Sequence, residues 1–130
     1  MTAPWISPEH NNDRLAGTLL FLERGPAAAK VLLLDGTRPA GGGALTNVLA
    51  AISLADPPGS LVSNKLVLAP AADALVLLDG TATWARVING DGTAALDCDV
   101  SDMTGGAPIR LLTTALLAGG AVRLTVAEFT

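Results

Sequence analysis

Few side chains in this sequence have the type and spacing that enzymatic chemistry requires. The only histidine, His10, lies near the N-terminus beside two asparagines, where we expect no element to hold it against a nucleophile. The only cysteine, Cys98, alternates with Asp97 and Asp99 along a presumed strand. We therefore interpret Cys98 as a small buried apolar side chain and not as a nucleophile.

The patterns that could bind a ligand also lack essential members. A run of aspartates resembles part of a calcium loop, which needs glycine at its sixth position and glutamate at its twelfth. Counted from Asp97, these positions are Asp102 and Pro108. The glycines at 41–43 lack the lysine and hydroxyl residue that complete a phosphate-binding loop. We predict neither a metal site nor a cofactor. The aspartates of the run are Asp91, Asp97, Asp99 and Asp102.

The glutamates do not form a catalytic pair. Glycoside hydrolysis needs two carboxylates that face each other across a cleft. Each glutamate lies near a presumed element end or in the N-terminal segment: Glu9, Glu23 and Glu128. We therefore predict that the protein is not an enzyme.

Composition points to a protein that works through its surface. Of 130 residues, 50% are hydrophobic and 15% are charged, against about 25% charged in ordinary soluble domains. A single domain of this size cannot bury every apolar side chain, and a large exposed apolar patch is typical of a partner surface. The net charge of −4 and 3% aromatic content argue against nucleic-acid binding. No apolar stretch reaches the roughly 20 residues of a membrane span, so we expect no membrane partner.

Short apolar runs separated by turn residues predict the fold. Their spacing of about 8–12 residues favours an all-β protein, an antiparallel β-sandwich with the jelly roll as one form of it. Asn89-Gly90 indicates a tight hairpin. The runs 15–22 and 74–78 are apolar on both faces, so we predict strands buried on both sides. The segment 44–55 fits either a strand or a short helix, and the end of the 109–117 run is equally ambiguous.

The N-terminal segment differs from the rest of the chain. Residues 1–14 contain two prolines and two asparagines without periodicity, which predicts an extended arm before a single domain at 15–130. Trp5 and Ile6 are the apolar residues through which this arm could dock. The segment has no basic region followed by an apolar run, so we expect no signal peptide. 

Trp84 and Arg86 are the remaining interface candidates. They fall on the same face of a presumed strand. Trp84 fits either core packing or an anchor in a subunit interface, where tryptophan and arginine are enriched. The sequence leaves both interpretations open.

The stretch from Thr81 to Phe129 resembles the C-terminal part of small all-β structural proteins encoded in tailed-phage and prophage gene clusters. The likeness lies in four motifs: Trp84-Ala85-Arg86, Gly90-Asp91-Gly92, Asp97-Cys98-Asp99-Val100 and the final Gly119-Gly120 hairpin. The resemblance implies a virion component, and within that class a capsid cement (decoration) protein. It brings no catalytic residues.

These observations together predict a function. We expect a non-enzymatic protein, made in the cytoplasm of a bacterial host, that binds the outside of the capsid shell in the virion and stabilises it. Its expected partners are the major capsid protein and further copies of itself, in a homodimer or homotrimer. The alternatives are a tail, neck or fibre-associated virion protein, or a ligand-binding β-sandwich.

Overall fold

The computed structural model describes residues 5–130 and contains one α-helix and eleven β-strands within that range. The helix α1 spans Pro8–Leu22, and a single 3-10 turn spans Ala40–Gly42. The strands are β1 Lys30–Leu34, β2 Val48–Val62, β3 Lys65–Pro70, β4 Ala74–Leu75, β5 Gly80–Thr81, β6 Trp84–Ile88, β7 Ala94–Asp102, β8 Ile109–Leu111, β9 Ala115–Leu116, β10 Ala121–Val122 and β11 Val126–Phe129.

Seven strands form a closed barrel in the order β1-β2-β3-β11-β8-β7-β6. All neighbours are antiparallel except β7 and β8, which run in parallel. The four remaining strands form two short pairs, β4 with β10 and β5 with β9. The β-rich class is thus confirmed, but the strands close into one barrel instead of the two facing sheets of the predicted sandwich.

The barrel interior is filled by aliphatic side chains that alternate along the strands. Val31 and Leu33 of β1 and Ala85 and Val87 of β6 point into one cluster of buried residues. Cys98 of β7 belongs to the same cluster. Burial of this set is the main source of stability, because each aliphatic side chain removed from water contributes about 1.5–3 kcal/mol.

The hairpin predicted at Asn89-Gly90 is confirmed, since the turn joins β6 to antiparallel β7. The Asn89 side chain accepts hydrogen bonds from the backbone N–H groups of Asp91 and Thr93. The Gly90 N–H donates to the Arg24 carbonyl, and a Cβ on Gly90 would overlap the Ala27 carbonyl oxygen. Only glycine permits this close approach between the hairpin and the segment that follows α1.

Helix α1 corrects two predictions from the sequence. Residues 8–14 are helical instead of an extended arm, and 15–22 continue the helix instead of forming a strand. The Ser7 hydroxyl caps the helix by accepting from the His10 N–H, and Pro8 fits the first turn. Of the predicted arm, residues 1–4 lie outside the described residues.

The helix packs on the barrel through a single apolar face. Leu15 and Leu22 belong to the core cluster, and Leu19 and Phe21 pack against it. The helix therefore crosses the predicted boundary at residue 15 and contributes to the core of the barrel. Within residues 5–130, no helix combines the length and apolar character needed to cross a bilayer.

For two other segments the sequence fitted either a strand or a helix, and pairing with distant strands decides between them. The helical alternative for 44–55 is wrong, because Val48 begins the long strand β2 between β1 and β3. Residues 109–117 form the strands β8 and β9 with a turn between them. In both cases neighbouring strands supply the backbone hydrogen bonds, and this outweighs helical spacing of the side chains.

Candidate functional site

Trp84 is buried on the outer face of the barrel wall. Its neighbours Ala85 and Val87 point into the core, so Trp84 and Arg86 point away from it. Trp84 is nevertheless only 1% exposed, because the segment 35–47, here called the clasp, folds over it. The indole Nε1 donates to the Asp35 carbonyl at 3.0 Å and to the Thr46 hydroxyl at 3.1 Å. The side chain therefore anchors the clasp and is not on the surface.

Arg86 binds the neighbouring strand and the clasp at once. Its Nε and a terminal nitrogen donate to the two Asp97 carboxylate oxygens at 2.7 and 2.9 Å. The same terminal nitrogen donates to the Gly43 carbonyl at 2.8 Å, and the guanidinium lies 5.5 Å from the Trp84 ring centre. The hydrogen bonds to Asp97 raise the pKa of Arg86 above its ordinary value. This bidentate pair gives Arg86 a structural role within the chain.

Polar contacts also hold the clasp to β7 and close its ends. Arg38 lies 3.7 Å from the Asp99 carboxylate and donates to the Asp97 carbonyl. The Asp35 carboxylate accepts from the backbone and side-chain nitrogens of Asn47 at 3.1 and 3.2 Å. The hydrogen bond from the Asn47 side chain lowers the pKa of Asp35. The clasp is a hydrogen-bonded cover over Trp84.

The aspartates of the predicted acidic run do not converge. Asp97 binds Arg86, Asp99 lies by Arg38, and Asp102 accepts from the Thr104 hydroxyl and the backbone of its own turn. These hydrogen bonds, led by the one from the Thr104 side chain, lower the pKa of Asp102. Among residues 5–130, no group of three His, Cys, Asp or Glu residues is arranged to hold a metal ion.

The two candidate nucleophile and base residues lie in unsuitable surroundings. Cys98 is buried in the core cluster, and burial raises the pKa of its thiol to about 12. The reactive thiolate is therefore scarce near neutral pH. His10 is exposed in the first turn of α1, where its backbone N–H binds the capping Ser7.

The glutamates are exposed and separate. Glu9 is in the first turn of α1, Glu23 follows the last turn, and Glu128 of β11 lies 3.5 Å from Lys65. Their surroundings contain no facing pair of carboxylates. 

The glycines at 41–43 lie beside a shallow pocket of about 440 Å³ between the clasp and the start of β7. Gly41 and Gly42 adopt positive φ angles of 62° and 72°, which glycine accommodates without strain. The charged residues that line the pocket, Arg38 and Asp97, already bind partners within the chain. The glycines thus shape the clasp.

The apolar pair Trp5–Ile6 lies just before α1 and is open to solvent. Trp5 is 83% exposed and Ile6 is 36% exposed. Of the four predicted interface residues, these two are on the surface, whereas Trp84 is buried and Arg86 is mostly covered. The structure thus divides the candidates into one exposed pair and one pair within the fold.

The largest group of exposed aliphatic side chains lies on a feature that the sequence did not reveal. Residues 74–82 and 112–122, here called the flap, run antiparallel and are joined along their length by β4–β10, β5–β9 and backbone hydrogen bonds between Val76 and Gly120. Five flap leucines are between 48% and 73% exposed: Leu75, Leu77, Leu78, Leu112 and Leu117. The prediction that 74–78 is buried on both faces is therefore wrong for the isolated chain.

The flap is fixed in place by the buried side chains that lie between its five exposed leucines. Val76, Leu116 and Val122 point into the core cluster. The Leu77 N–H donates to the Leu49 carbonyl of β2 at 2.7 Å, and Asp79 accepts from the Ala118 N–H at 2.7 Å. The flap leucines are thus held outward by the strand pairing itself.

Comparison with known proteins adds no assignment. No protein-family model matches the chain, and no curated protein or solved structure is significantly similar to it. The functional argument therefore depends on the surfaces described above.

Proposed function

We propose that this protein is a non-enzymatic structural component of a phage virion, a cement protein that binds the outside of the capsid shell as an oligomer and stabilises it. The observation that carries the proposal is the flap, which holds five leucines in water at one end of the barrel. Exposure of this many large apolar side chains on one feature is typical of chains that complete their burial in an assembly.

The organisation of the polar groups supports an assembly role. Arg86, Asp97 and Arg38 bind each other or the backbone and connect the clasp to the barrel. In residues 5–130, every buried side-chain nitrogen or oxygen has a hydrogen-bond partner. The closed barrel also pairs its wall strands on both sides, which limits unspecific edge-to-edge association. A rigid unit with a few apolar patches suits repeated attachment to a lattice.

The motifs that carry the phage resemblance belong to the framework of the fold. Trp84 and Arg86 hold the clasp, Gly90 makes the tight turn, and Asp97 and Cys98 provide the outer and inner faces of β7. These roles agree with a structural protein.

Trp5 and Ile6 are the proposed contact with the major capsid protein. They precede α1, which packs near the start of β7, whereas the flap adjoins the start of β2. A largely exposed tryptophan is an effective anchor when a partner buries it.

The first test locates the protein in particles. Antibody-labelled electron microscopy would be applied to particles released after prophage induction of the bacterium that encodes the chain. Label on the head supports the proposal, label on the tail or neck favours the alternative virion role, and particles without label contradict both.

The second test measures attachment. Purified protein should co-sediment with shells that lack it and raise the temperature at which they open. The variant Trp5→Ser should bind shells at least about tenfold more weakly. Leu20→Ser is the matched control, because Leu20 is 66% exposed on α1 and lies outside the proposed contact. Equal binding by both variants would remove Trp5 from the contact, and no binding by the wild type would contradict the proposal.

A further inference from the structure

The flap needs a specific cover, and its composition limits what that cover can be. Together the five flap leucines expose on the order of several hundred Å² of apolar side chain, which is comparable to the largest patch on a typical monomer. A standard interface buries about 800 Å² on each partner. The flap can therefore supply the apolar centre of one ordinary protein interface.

Two of the three charged residues at the flap and its margin, Asp73 and Arg123, form an ion pair. Arg123 donates to the Asp73 carboxylate at 3.1 and 3.5 Å, which pairs the two ionic groups at the flap margin. The Asp79 carboxylate accepts from the Ala118 N–H. Asp79 is the charge that remains, so the flap is weakly charged and two copies meet with little repulsion, whereas a strongly charged patch would repel its own copy.

The flap also combines a protrusion with a recess. Leu112 and Leu117 are 73% and 71% exposed and project from one segment. Leu112 also lines a groove of about 390 Å³. The other lining residues include the largely buried Leu111, Leu116 and Val122 and the charged pair Asp73 and Arg123. A two-fold axis that brings Leu117 of each copy to the groove of the other would give the self-complementary arrangement of an isologous dimer.

We infer that the flap is the surface through which two copies of this chain pair, with Leu117 of each copy in the groove of the other and against its Leu112. This inference rests on the proposed function only in taking the protein to work as an oligomer. It goes further by choosing a pair over a trimer and by assigning the flap to the second copy, which leaves the Trp5 end for the shell.

The test uses the full chain and measures its mass by sedimentation equilibrium. We expect the wild type to have about twice the chain mass of 13.1 kDa at micromolar concentration. The double variant Leu112→Gln/Leu117→Gln should be monomeric, with a dimer dissociation constant raised at least about 100-fold, because each substitution acts on both sides of the two-fold axis. Leu20→Gln removes an equally exposed leucine from α1 and should remain dimeric.

A second set of measurements checks that the variants are folded. Circular dichroism should show the same fold in all three proteins, since the altered side chains lie mainly in solvent. The melting temperature of the wild type should rise with protein concentration, and that of the double variant should not. If the double variant is unfolded, Leu117→Lys serves instead and should give a monomer that regains dimer in high salt.

Three outcomes overturn the inference. They are a monomeric wild type, a double variant that stays dimeric, and a trimeric wild type. Shell co-sedimentation separates this inference from the proposed function. A monomer that still binds shells contradicts the flap pairing alone, whereas a flap-dependent dimer that binds no shell contradicts the proposed function alone.

Discussion

Helix α1 and the flap close opposite ends of the same barrel, but they differ in what they leave in contact with water. The helix buries Leu15 and Leu22 and turns a largely polar face outward, with Leu20 as its exposed leucine. The flap buries Val76, Leu116 and Val122 but also presents five leucines to solvent. Both α1 and the flap complete the core, but α1 leaves one leucine exposed whereas the flap leaves five. This difference is the basis on which we propose that a partner covers the flap.

The largest effect on stability should come from α1, which closes one end of the barrel. Leu22→Ala removes a fully buried side chain from the core cluster and leaves a cavity, so we expect a loss of about 3 kcal/mol in the free energy of unfolding. Urea denaturation measures it. A loss below about 1 kcal/mol would mean that α1 contributes little to closing the barrel.

The next largest effect is the pH dependence of stability that arises from Cys98 in the barrel wall. Burial raises the pKa of the Cys98 thiol to about 12, so folding favours the protonated thiol. The resulting stability is present below the unfolded-state pKa near 9 and is lost as pH rises from 9 to 12, by about 1.4 kcal/mol per unit.

Cys98→Ala provides the control for this pH effect. The chain has no tyrosine, and both proteins contain the same two lysines, Lys30 and Lys65. The wild type should therefore lose about 2 kcal/mol more than the variant between pH 9 and 10.5 in urea denaturation. Parallel pH profiles would show that water reaches the thiol through the wall or through one of the caps.

A smaller effect tests the N-cap residue of α1, Ser7. Ser7→Ala removes the side-chain acceptor for the His10 N–H, and we expect a loss of about 1 kcal/mol. Ser7→Asp restores an acceptor and should recover most of it. If both variants match the wild type in thermal unfolding, the hydrogen bond to the Ser7 side chain does not stabilise α1.

The smallest effect distinguishes the flap from the helix most sharply. Leu117→Gln, measured where the protein is monomeric, should change the free energy of unfolding by less than about 0.5 kcal/mol, because the side chain is mostly in water. A loss comparable to that of Leu22→Ala would mean that the flap leucines stabilise the isolated barrel.

The sequence predicted the parts of the fold that depend on local chemistry. Asn89-Gly90 indicated a hairpin because its backbone preferences act within a few residues. The alternation of Cys98 with Asp97 and Asp99 correctly placed the thiol inside and the carboxylates outside. These features need no knowledge of distant strands.

The helix α1 was missed although its signals are present. Ser7, Pro8 and Glu9 provide a cap, a first-turn proline and an acidic first turn, and Leu15, Leu19 and Leu22 recur at helical spacing. The asparagines led us to interpret residues up to 14 as an arm, and the apolar run led us to interpret 15–22 as a strand. These two interpretations divided one helix at residue 15.

The clasp and the flap could not be predicted because both depend on long-range contacts. Burial of Trp84 requires Asp35 and Thr46 to close over it, and nothing local to Trp84 indicates this cover. The outward direction of Leu75 and Leu77 follows from pairing with β10 and β2. The same apolar sequence would suit a fully buried strand.

The central claim, that the flap is unfinished in the single chain and covered by a second copy, is tested most directly by hydrogen exchange as a function of protein concentration. We predict that peptides covering 74–82 and 112–122 exchange more slowly as concentration rises, while peptides covering 8–22 exchange at a constant rate. Slowing confined to the helix, or no change at the flap across the range in which the mass increases, would contradict the account.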